Sequence, residues 1–233
     1  MRTAIITGGA RGIGFGIAEA MLAAGYRVTV TGLDEAEIAA VPVRENLSAA
    51  RLDVTDDAGV RRFVDGFAQL DALVNCAGII MRGAEYDIAT FQKVVDVNLT
   101  GTMRLCVAAR PKLAVQGGAI VNTASMLSFF GGALVPAYAA SKGGIVQLTK
   151  SLAIAWAAEN IRVNAIAPGW IATELTRGLV EDEARSAGIL ARTPLKRWGK
   201  PDDIGETVAF LCSEGARFIT GTVLPIDGGY AAV

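Results

Sequence analysis

Short apolar runs rich in β-branched residues alternate along the whole chain with longer segments of helical periodicity. The runs predict seven strands, over residues 3–7, 27–31, 49–54, 72–75, 119–123, 161–167 and 222–226. The segments between them predict helices over 14–24, 57–68, 91–113, 137–158 and 201–212. Strands that alternate with helices form a mostly parallel sheet covered on both faces, so we predict a doubly wound α/β fold.

No linker, low-complexity run or internal repeat divides the 233 residues, and we expect a single domain over 1–233. Apolar residues make up 52% and charged residues 19% of the chain, which indicates apolar surface buried between identical subunits.

The 22 basic and 23 acidic residues nearly cancel and form no basic stripe. We therefore expect a small-molecule substrate and neither a nucleic acid nor a membrane as partner. The chain shows no signal-peptide pattern, so we expect it in the cytoplasm.

The chain contains no histidine, which excludes Ser-His-Asp triads and histidine-ligated zinc. The three cysteines, Cys76, Cys106 and Cys212, are widely separated and form no C-x-x-C pair. We interpret them as small buried residues and predict no metal site.

Ligands of parallel α/β sheets bind beyond the carboxyl ends of the strands, and the residues there are chemically distinctive in this chain. The first strand runs into the glycine-rich segment 7–14, where the backbone could approach a pyrophosphate at a helix N-terminus. The glycine spacing is not G-x-G-x-x-G, and a tight turn of no ligand-binding role would look similar. Asp53, Asn75 and Ser125 stand at the ends of the third, fourth and fifth predicted strands, although each could equally be a cap or turn residue.

Tyr138 and Lys142 stand four residues apart at the start of a long helical stretch. Residues at i and i+4 share one face of a helix, so the ammonium group could favour the ionised form of the phenol. Such a tyrosine could exchange a proton near neutral pH. Alone, the pair could also be an ordinary surface contact.

Taken together, these segments resemble the motifs of the short-chain dehydrogenase/reductase family, over essentially the whole chain. The matching residues are Thr7-Gly8-x-x-x-Gly12-Ile13-Gly14, Asp53-Val54, Asn75-Cys76-Ala77-Gly78, Asn98, Ser125, Tyr138-x-x-x-Lys142, Pro168-Gly169 with Thr173, and Ile226-Asp227-Gly228-Gly229. The resemblance implies a Rossmann-type domain with strand order 3-2-1-4-5-6-7. It also implies bound NAD(H) or NADP(H), a homotetramer or otherwise a homodimer, and an enzyme that interconverts a secondary alcohol and a ketone.

The resemblance also assigns catalytic roles to four residues. Tyr138 would be the general acid in reduction and the general base in oxidation. Lys142 would lower the pKa of Tyr138 and contact the nicotinamide ribose. Ser125, thirteen residues before Tyr138, would hold the substrate oxygen. Asn98 would hold a bend in the fourth helix and a water that connects Lys142 to solvent.

The resemblance also implies contacts with the cofactor. Thr173 would contact the diphosphate or carboxamide, and the backbone of Ile171 would orient the nicotinamide. Asp53 and Val54 would frame the adenine, and Asn75 would help to fix the adenosine. The full set of cofactor residues is Thr7, Gly8, Arg11, Gly12, Ile13, Gly14, Leu33, Asp53, Val54, Asn75, Ala77, Gly78, Tyr138, Lys142, Pro168, Gly169, Ile171 and Thr173. The substrate residues are Ser125, Met126, Tyr138 and Trp170, under a lid over 174–198.

The end of the second strand bears on the choice between NAD and NADP. Gly32 stands where NAD-dependent relatives often have aspartate, and no arginine lies near Leu33. Arg11 could pair with a 2′-phosphate, whereas Asp34, Glu35 and Glu37 would repel one. One basic residue against three acidic ones favours NAD(H) slightly, although the acids could simply belong to the first turn of a helix.

The segment 168–176 is similar to that of sugar-acid and polyol dehydrogenases in the family, so we weakly favour such a substrate. A 3-oxoacyl-carrier reductase is the alternative, and an imine or enone reductase stays open. A non-catalytic dinucleotide-binding regulatory protein is the alternative of another class. The presence of Ser125, Tyr138, Lys142 and Asn98 together favours an enzyme.

Overall fold

A computed structural model describes all 233 residues and shows one seven-stranded sheet. Its strands are β1 (Arg2–Thr7), β2 (Tyr26–Gly32), β3 (Leu47–Arg51), β4 (Ala72–Asn75), β5 (Gly118–Thr123), β6 (Ile161–Pro168) and β7 (Val223–Ile226). The order is β3-β2-β1-β4-β5-β6-β7 and every pairing is parallel. This topology confirms the predicted Rossmann-type fold.

Nine α-helices connect and cover the strands. They are α1 (Gly12–Ala23), α2 (Glu35–Ala39), α3 (Asp57–Asp65), α4 (Ile88–Val95), α5 (Gly101–Leu113), α6 (Pro136–Trp156), α7 (Arg177–Val180), α8 (Glu183–Arg192) and α9 (Pro201–Leu211). None of them is both long enough and apolar enough to cross a membrane.

The core lies on both faces of the sheet because successive side chains of a strand point to opposite sides. In β1, Ile6 packs in the cluster that α1 and α9 cover. Its neighbour Ile5 packs in the opposite cluster, which α3, α5 and α6 cover. Strands buried on both faces must be apolar throughout, which explains the continuous apolar runs in the sequence.

The third strand differs from its predicted range of 49–54, since β3 begins at Leu47 and ends at Arg51. The carboxylate of Asp53 accepts hydrogen bonds from the backbone N–H and the hydroxyl of Thr55, at 2.8 and 2.7 Å. This local turn competes with strand pairing. Asp53 and Val54 therefore lie just beyond the strand, at the ligand-binding edge.

The predicted helix over 91–113 begins earlier and is not continuous. Asp87 caps α4 by accepting from the backbone N–H of Thr90 at 2.8 Å. A π-helical turn over Asp96–Thr100 then separates α4 from α5. Apolar periodicity detects the helical stretch but not a single π turn within it.

The short helices α2, α7 and α8 are absent from the sequence prediction. Asp34 caps α2 and Asp182 caps α8, each accepting from a backbone N–H three residues on. None of these three helices buries a residue in the core, so none shows the apolar pattern by which the other helices were predicted. The segment 174–198 predicted as a lid therefore contains a 3₁₀ turn over Glu174–Thr176, followed by α7 and α8, and is not helical after Arg192.

Candidate active site

The four residues predicted to be catalytic come from three elements and meet at the carboxyl edge of the sheet. Ser125 follows β5, Asn98 lies in the π turn, and Tyr138 and Lys142 lie on the first two turns of α6. The ammonium nitrogen of Lys142 is 5.6 Å from the centre of the Tyr138 ring. A Cβ atom built on Gly78 would lie 3.2 Å from Asn98 Oδ1 and 3.7 Å from Lys142 Nζ. The end of β4 therefore lies against the same cluster.

Lys142 is only 4% exposed and donates a hydrogen bond from Nζ to the backbone oxygen of Thr123 at 2.6 Å. Burial disfavours the charged ammonium, and it lowers the pKa of Lys142 to about 8. The lysine can therefore change its charge within a pH range in which the enzyme can be assayed.

Tyr138 is partly buried, and this burial raises the pKa of its phenol, with smaller contributions in the same direction from Cys76 and Glu85. The Ser125 hydroxyl acts in the opposite direction. The family resemblance implies a pKa lowered by Lys142, whereas the shift in this structure is upward. The ammonium group is directed at the Thr123 carbonyl, and desolvation of the phenol dominates.

Ser125 is held in place by Ser128, a residue that the sequence analysis missed. The two residues form a reciprocal capping box around the 3₁₀ turn Met126–Ser128. The Ser128 hydroxyl accepts from the Ser125 backbone N–H at 3.1 Å and donates to the backbone oxygen of Lys142 at 2.7 Å. Ser128 therefore joins the loop after β5 to α6. The Ser-x-x-Ser spacing of a capping box is the signal that could have revealed it.

Asn98 is 1% exposed and links two segments of the site. Its Oδ1 accepts from the backbone N–H of Ile79 at 2.7 Å, and its Nδ2 donates to the backbone oxygen of Ile79 at 2.9 Å. Nδ2 also donates to the Ser141 hydroxyl at 3.1 Å. The π turn places this amide between the loop after β4 and α6, a positioning role in keeping with the bend that the resemblance implies.

The glycine-rich segment after β1 fits the diphosphate of a dinucleotide. Gly8 has φ +62° and a Cβ there would lie 2.8 Å from Ala77 Cα, so only glycine allows this close approach. The hydroxyl of Thr7 ties the same two strand ends together by accepting from the backbone N–H groups of Cys76 and Ala77, both at 3.2 Å. Arg11 precedes α1 without a side-chain cap, so no side chain caps the first N–H groups of this helix.

We call the glycine-rich segment 7–14 the glycine cradle. A second group of predicted cofactor residues follows the end of β6. Pro168 closes the strand, and the backbone oxygen of Ile171 accepts from the Thr176 hydroxyl at 2.7 Å. A Cβ on Gly12 would lie 3.7 Å from Thr173 Cγ2. Thr173 thus lies directly against Gly12, the first residue of α1, and Ile13 and Gly14 follow Gly12 in that helix.

Glu37 and Asn75 lie in different surroundings at the end of the site predicted to hold the adenosine. The Glu37 carboxylate pairs with Arg11 at 2.9 Å and accepts from the backbone N–H of Leu33 at 2.8 Å. Asn75 is 2% exposed, and its Nδ2 donates to Asn122 Oδ1 at 2.9 Å, between β4 and β5. The Asn75 side chain therefore faces the interior between these two strands, and Glu37 is the acidic side chain that contacts the end of β2.

The substrate side contains an aromatic cluster. The ring centre of Trp170 lies 5.9 Å from that of Trp198 and 6.3 Å from that of Tyr230. The Arg192 guanidinium lies 4.3 Å from the Tyr230 ring centre. Met126 is 5% exposed beside Ser125. The aromatic cluster joins the residues that flank the predicted lid to the C-terminal turn. Trp170 was predicted to contact the substrate and Trp198 is the last residue of the predicted lid, whereas Tyr230 was not predicted.

A dinucleotide cradle at the edge of a Rossmann-type sheet, with a Tyr–Lys pair beside it, defines a dinucleotide-dependent oxidoreductase. Residues 8–231 match a family model described as enoyl-(acyl carrier protein) reductase. The chain belongs to the short-chain dehydrogenase/reductase family. It is an NAD(P)-dependent enzyme that interconverts a secondary alcohol and a ketone.

Three relatives illustrate the range of similarity. A 2-dehydro-3-deoxy-D-gluconate 5-dehydrogenase of Pseudoalteromonas atlantica is 41% identical, over 98% of this chain and 95% of that protein. A 3-oxoacyl-[acyl-carrier-protein] reductase of Chlamydia pneumoniae is 39% identical, over 97% of this chain and 95% of that protein. The crystal structure of a gluconate 5-dehydrogenase from Burkholderia cenocepacia, in complex with NADP and tartrate, superposes with a TM-score of 0.94. It is 34% identical, covering 100% of this chain and 96% of that one.

Proposed function

We propose that this enzyme oxidises a secondary hydroxyl group of a sugar acid, and reduces the corresponding ketone, with Tyr138 as the general acid and base. The observation that carries the proposal is the meeting of Tyr138, Lys142 and Ser125 beside the glycine cradle at one edge of the sheet. The choice of a sugar acid is supported by the names of the 2-dehydro-3-deoxy-D-gluconate and gluconate dehydrogenases among the relatives.

Gly8, Gly12, Gly14 and Thr173 would hold the dinucleotide, whose nicotinamide supplies the acceptor or donor of hydride. The Ser125 hydroxyl would hydrogen-bond the substrate oxygen, where negative charge develops. In oxidation, Tyr138 takes the proton of the substrate hydroxyl as the carbinol carbon loses hydride; in reduction it returns that proton to the oxygen. Lys142 adds a positive charge near the phenol when it is protonated.

Replacing Tyr138 with phenylalanine tests this mechanism. We expect kcat to fall by about 10²–10⁴-fold, because the variant keeps the ring but loses the proton-transferring group. The Kd for NAD(H), measured by fluorescence titration, should change by less than about threefold. Tyr26→Phe is the matched control, since the Tyr26 hydroxyl donates to the backbone oxygen of Cys212 at 2.8 Å, away from the carboxyl edge of the sheet. Undiminished turnover in Tyr138→Phe would refute the role of the phenol.

We further propose that the enzyme prefers NAD(H) and that Glu37 causes this preference. Glu37 supplies a carboxylate at the end of β2, near Gly32, and accepts a hydrogen bond there from the backbone N–H of Leu33. A ribose hydroxyl can donate to such a carboxylate, whereas a 2′-phosphate is repelled by it. Glu37 also engages Arg11, the one basic group of the glycine-rich segment. A gluconate 5-dehydrogenase among the relatives is solved in complex with NADP, so the preference has to be measured on this enzyme.

The test compares kcat/KM with NAD⁺ and NADP⁺ in the wild type and in Glu37→Gln. The wild type should prefer NAD⁺, and the variant should gain about tenfold in kcat/KM with NADP⁺, because Arg11 is released and the repulsion is removed. Glu35→Gln removes the same charge from the same helix without a contact to Arg11, and it should leave the ratio unchanged. A wild-type preference for NADP⁺ contradicts the proposal.

A substrate panel separates the candidate reactions. Sugar acids, the matching polyols, cyclic alcohols and a 3-oxoacyl thioester should be assayed with both cofactors. We expect the highest kcat/KM with a sugar acid. A higher value with the thioester would favour the 3-oxoacyl-carrier reductase, to which this chain is also similar.

We propose as well that the protein acts as a homo-oligomer in the cytoplasm, with a tetramer favoured over a dimer. Exposed apolar side chains on α5, α6 and around β7 support the assembly; Ile154 is 82% exposed and Phe218 is fully exposed. The segment 174–198 would close over the substrate as a lid, and its two short helices would move as the aromatic cluster opens.

A further inference from the structure

Glu85 is a buried carboxylate to which neither the sequence nor the proposed mechanism assigns a role. It is 1% exposed and forms no ion pair in the structure. Its Oε1 accepts from the backbone N–H of Met81 at 2.9 Å, and its Oε2 accepts from the backbone N–H of Tyr138 at 2.8 Å. Burying a carboxylate is costly, so its retention next to Tyr138 requires an explanation.

The N-terminus of α6 explains how the charge is tolerated. The first N–H groups of a helix lack intrahelical partners, and Tyr138 is the third residue of α6. Val135, at the N-cap, forms no side-chain cap, and Pro136 has no N–H to donate. Glu85 therefore supplies the missing acceptor from a different loop, and the positive end of the helix dipole stabilises its charge.

Hydrogen bonds hold the backbone of Tyr138 on both sides. On the amide side, the chain of contacts runs through Glu85 to Met81. On the carbonyl side, the Ser141 hydroxyl donates to the Tyr138 backbone oxygen at 2.7 Å and accepts from Asn98. Asn98 in turn holds Ile79, two residues before Met81. The contacts close into a ring that joins the loop after β4 to the residue proposed to transfer the proton.

We propose that Glu85 is a positioning residue that fixes Tyr138 through its backbone N–H and places a negative charge beside the residue that transfers the proton. This inference rests on the proposed role of Tyr138. It gives the loop after β4 a function in the reaction, because this loop carries the carboxylate that sets where the phenol lies and how readily it ionises.

The groups around the phenol show why the charge of Glu85 matters. Ser125 follows β5, Cys76 follows β4, and Lys142 lies on the next turn of α6, with its ammonium nitrogen 5.6 Å from the ring centre. Glu85 lies in the loop after β4, against the backbone N–H of Tyr138. Glu85 raises the pKa of Tyr138, as burial does. Removing the charge should therefore allow the phenol to ionise at lower pH.

Glu85→Gln tests both parts of the proposal. The variant keeps the size of the side chain, but its NH₂ group faces one of the two backbone N–H groups and cannot accept from it. We expect kcat to fall by about tenfold, and the acidic limb of the pH profile for alcohol oxidation to move down by about half a unit. KM for the cofactor should change by less than about twofold, since Glu85 is not part of the cradle.

Asp87→Asn is the matched control, because it removes the same charge two residues further along the same loop. Asp87 caps α4 and makes no contact with Tyr138, and asparagine is also a good N-cap. Its kcat and pH profile should equal those of the wild type. A folded Glu85→Gln variant with wild-type kcat, or with an unshifted profile, overturns the proposal.

Glu85→Asp decides the matter if Glu85→Gln does not fold. Aspartate keeps the charge but is too short to reach both Met81 and Tyr138, so kcat should fall while the pH profile stays in place. Wild-type kcat in Glu85→Asp overturns the proposal. Tyr138→Phe separates the two hypotheses: activity in that variant refutes the proposed mechanism itself, whereas an inactive Tyr138→Phe beside normal Glu85 variants refutes only the role of Glu85.

Discussion

At the scale of single residues, Lys142 shows how burial tunes a charged group. Its ammonium group is enclosed by the ends of β4 and β5 and retains one hydrogen bond to a backbone oxygen. The loss of water lowers its pKa from 10.5 to about 8. Below pH 8 the folded protein must therefore bury a charge that the unfolded chain would keep in water.

This cost predicts a pH dependence of stability. Between pH 8 and pH 10.5 the unfolded chain binds more protons at Lys142 than the folded chain does, so stability rises with pH. Lys142→Met lacks this contribution. The free energy of unfolding of the wild type, relative to that of Lys142→Met, should rise by about 2 kcal/mol from pH 8 to pH 10.

Urea unfolding of both proteins without cofactor measures this difference, and the other titrating groups cancel in the comparison. Lys150→Met is a suitable control, because Lys150 is exposed on the same helix. Its stability should follow that of the wild type across the range. A constant difference between the wild type and Lys142→Met would mean that the lysine titrates normally.

At the scale of elements, the packing of α1 against α9 depends on two glycines. A Cβ on Gly16 would lie 2.4 Å from Pro201 Cβ, and a Cβ on Gly205 would lie 2.5 Å from the backbone oxygen of Gly16. The two helices can approach this closely only because neither glycine carries a side chain. Since α1 also begins at the glycine cradle, its position sets the place of the N–H groups that would bind the diphosphate.

Gly16→Ala should therefore destabilise the protein and weaken cofactor binding together. We expect a loss of about 1–3 kcal/mol in the free energy of unfolding, which is typical of an added methyl group that forces neighbouring backbone apart. Gly188→Ala in α8 is the control, because a Cβ there meets nothing within 4 Å. Chemical denaturation and a cofactor titration measure the two effects. If Gly16→Ala changed neither the free energy of unfolding nor cofactor binding, α1 and α9 would be free to move apart.

The π turn illustrates what the sequence does and does not encode at this scale. Apolar periodicity predicts the helical stretch around Asn98, and the family resemblance predicts a bend in it. The contact of Asn98 with Ser141 and Ile79 depends on how α6 packs against the loop after β4. Periodicity within one segment contains no information about such a contact.

At the scale of the whole molecule, the alternation of strands and helices predicts a parallel sheet that binds ligands at the carboxyl ends of its strands. The family resemblance supplies the strand order, which the structure confirms, and the roles of the residues at that edge. Glu37 and Glu85 are different cases. Glu37 was noted as one of three acids, but its contact with the end of β2 requires α2 to fold back on that strand. Glu85 lies 53 residues from Tyr138 along the chain, and no pattern in the sequence connects them.

The exposed apolar surface carries the last prediction. Ile154 is 82% exposed on α6 and Val107 is 49% exposed on α5. In a monomer these apolar side chains would remain in contact with water, which is unfavourable. Isologous contacts between copies would bury such residues in pairs. Light scattering coupled to size exclusion should give about four times the chain mass of 24.2 kDa. Ile154→Glu should lower that mass, because each contact would bury the charge twice.

Val43→Glu tests whether any added charge has this effect. Val43 is fully exposed on the turn before β3, so its replacement changes the net charge equally without touching α5 or α6. The mass of this variant should equal that of the wild type. A wild-type mass of one chain contradicts the assembly. An unchanged mass in Ile154→Glu would exclude α6 from the interface, and the apolar residues around β7, such as Phe218, would then have to form it alone.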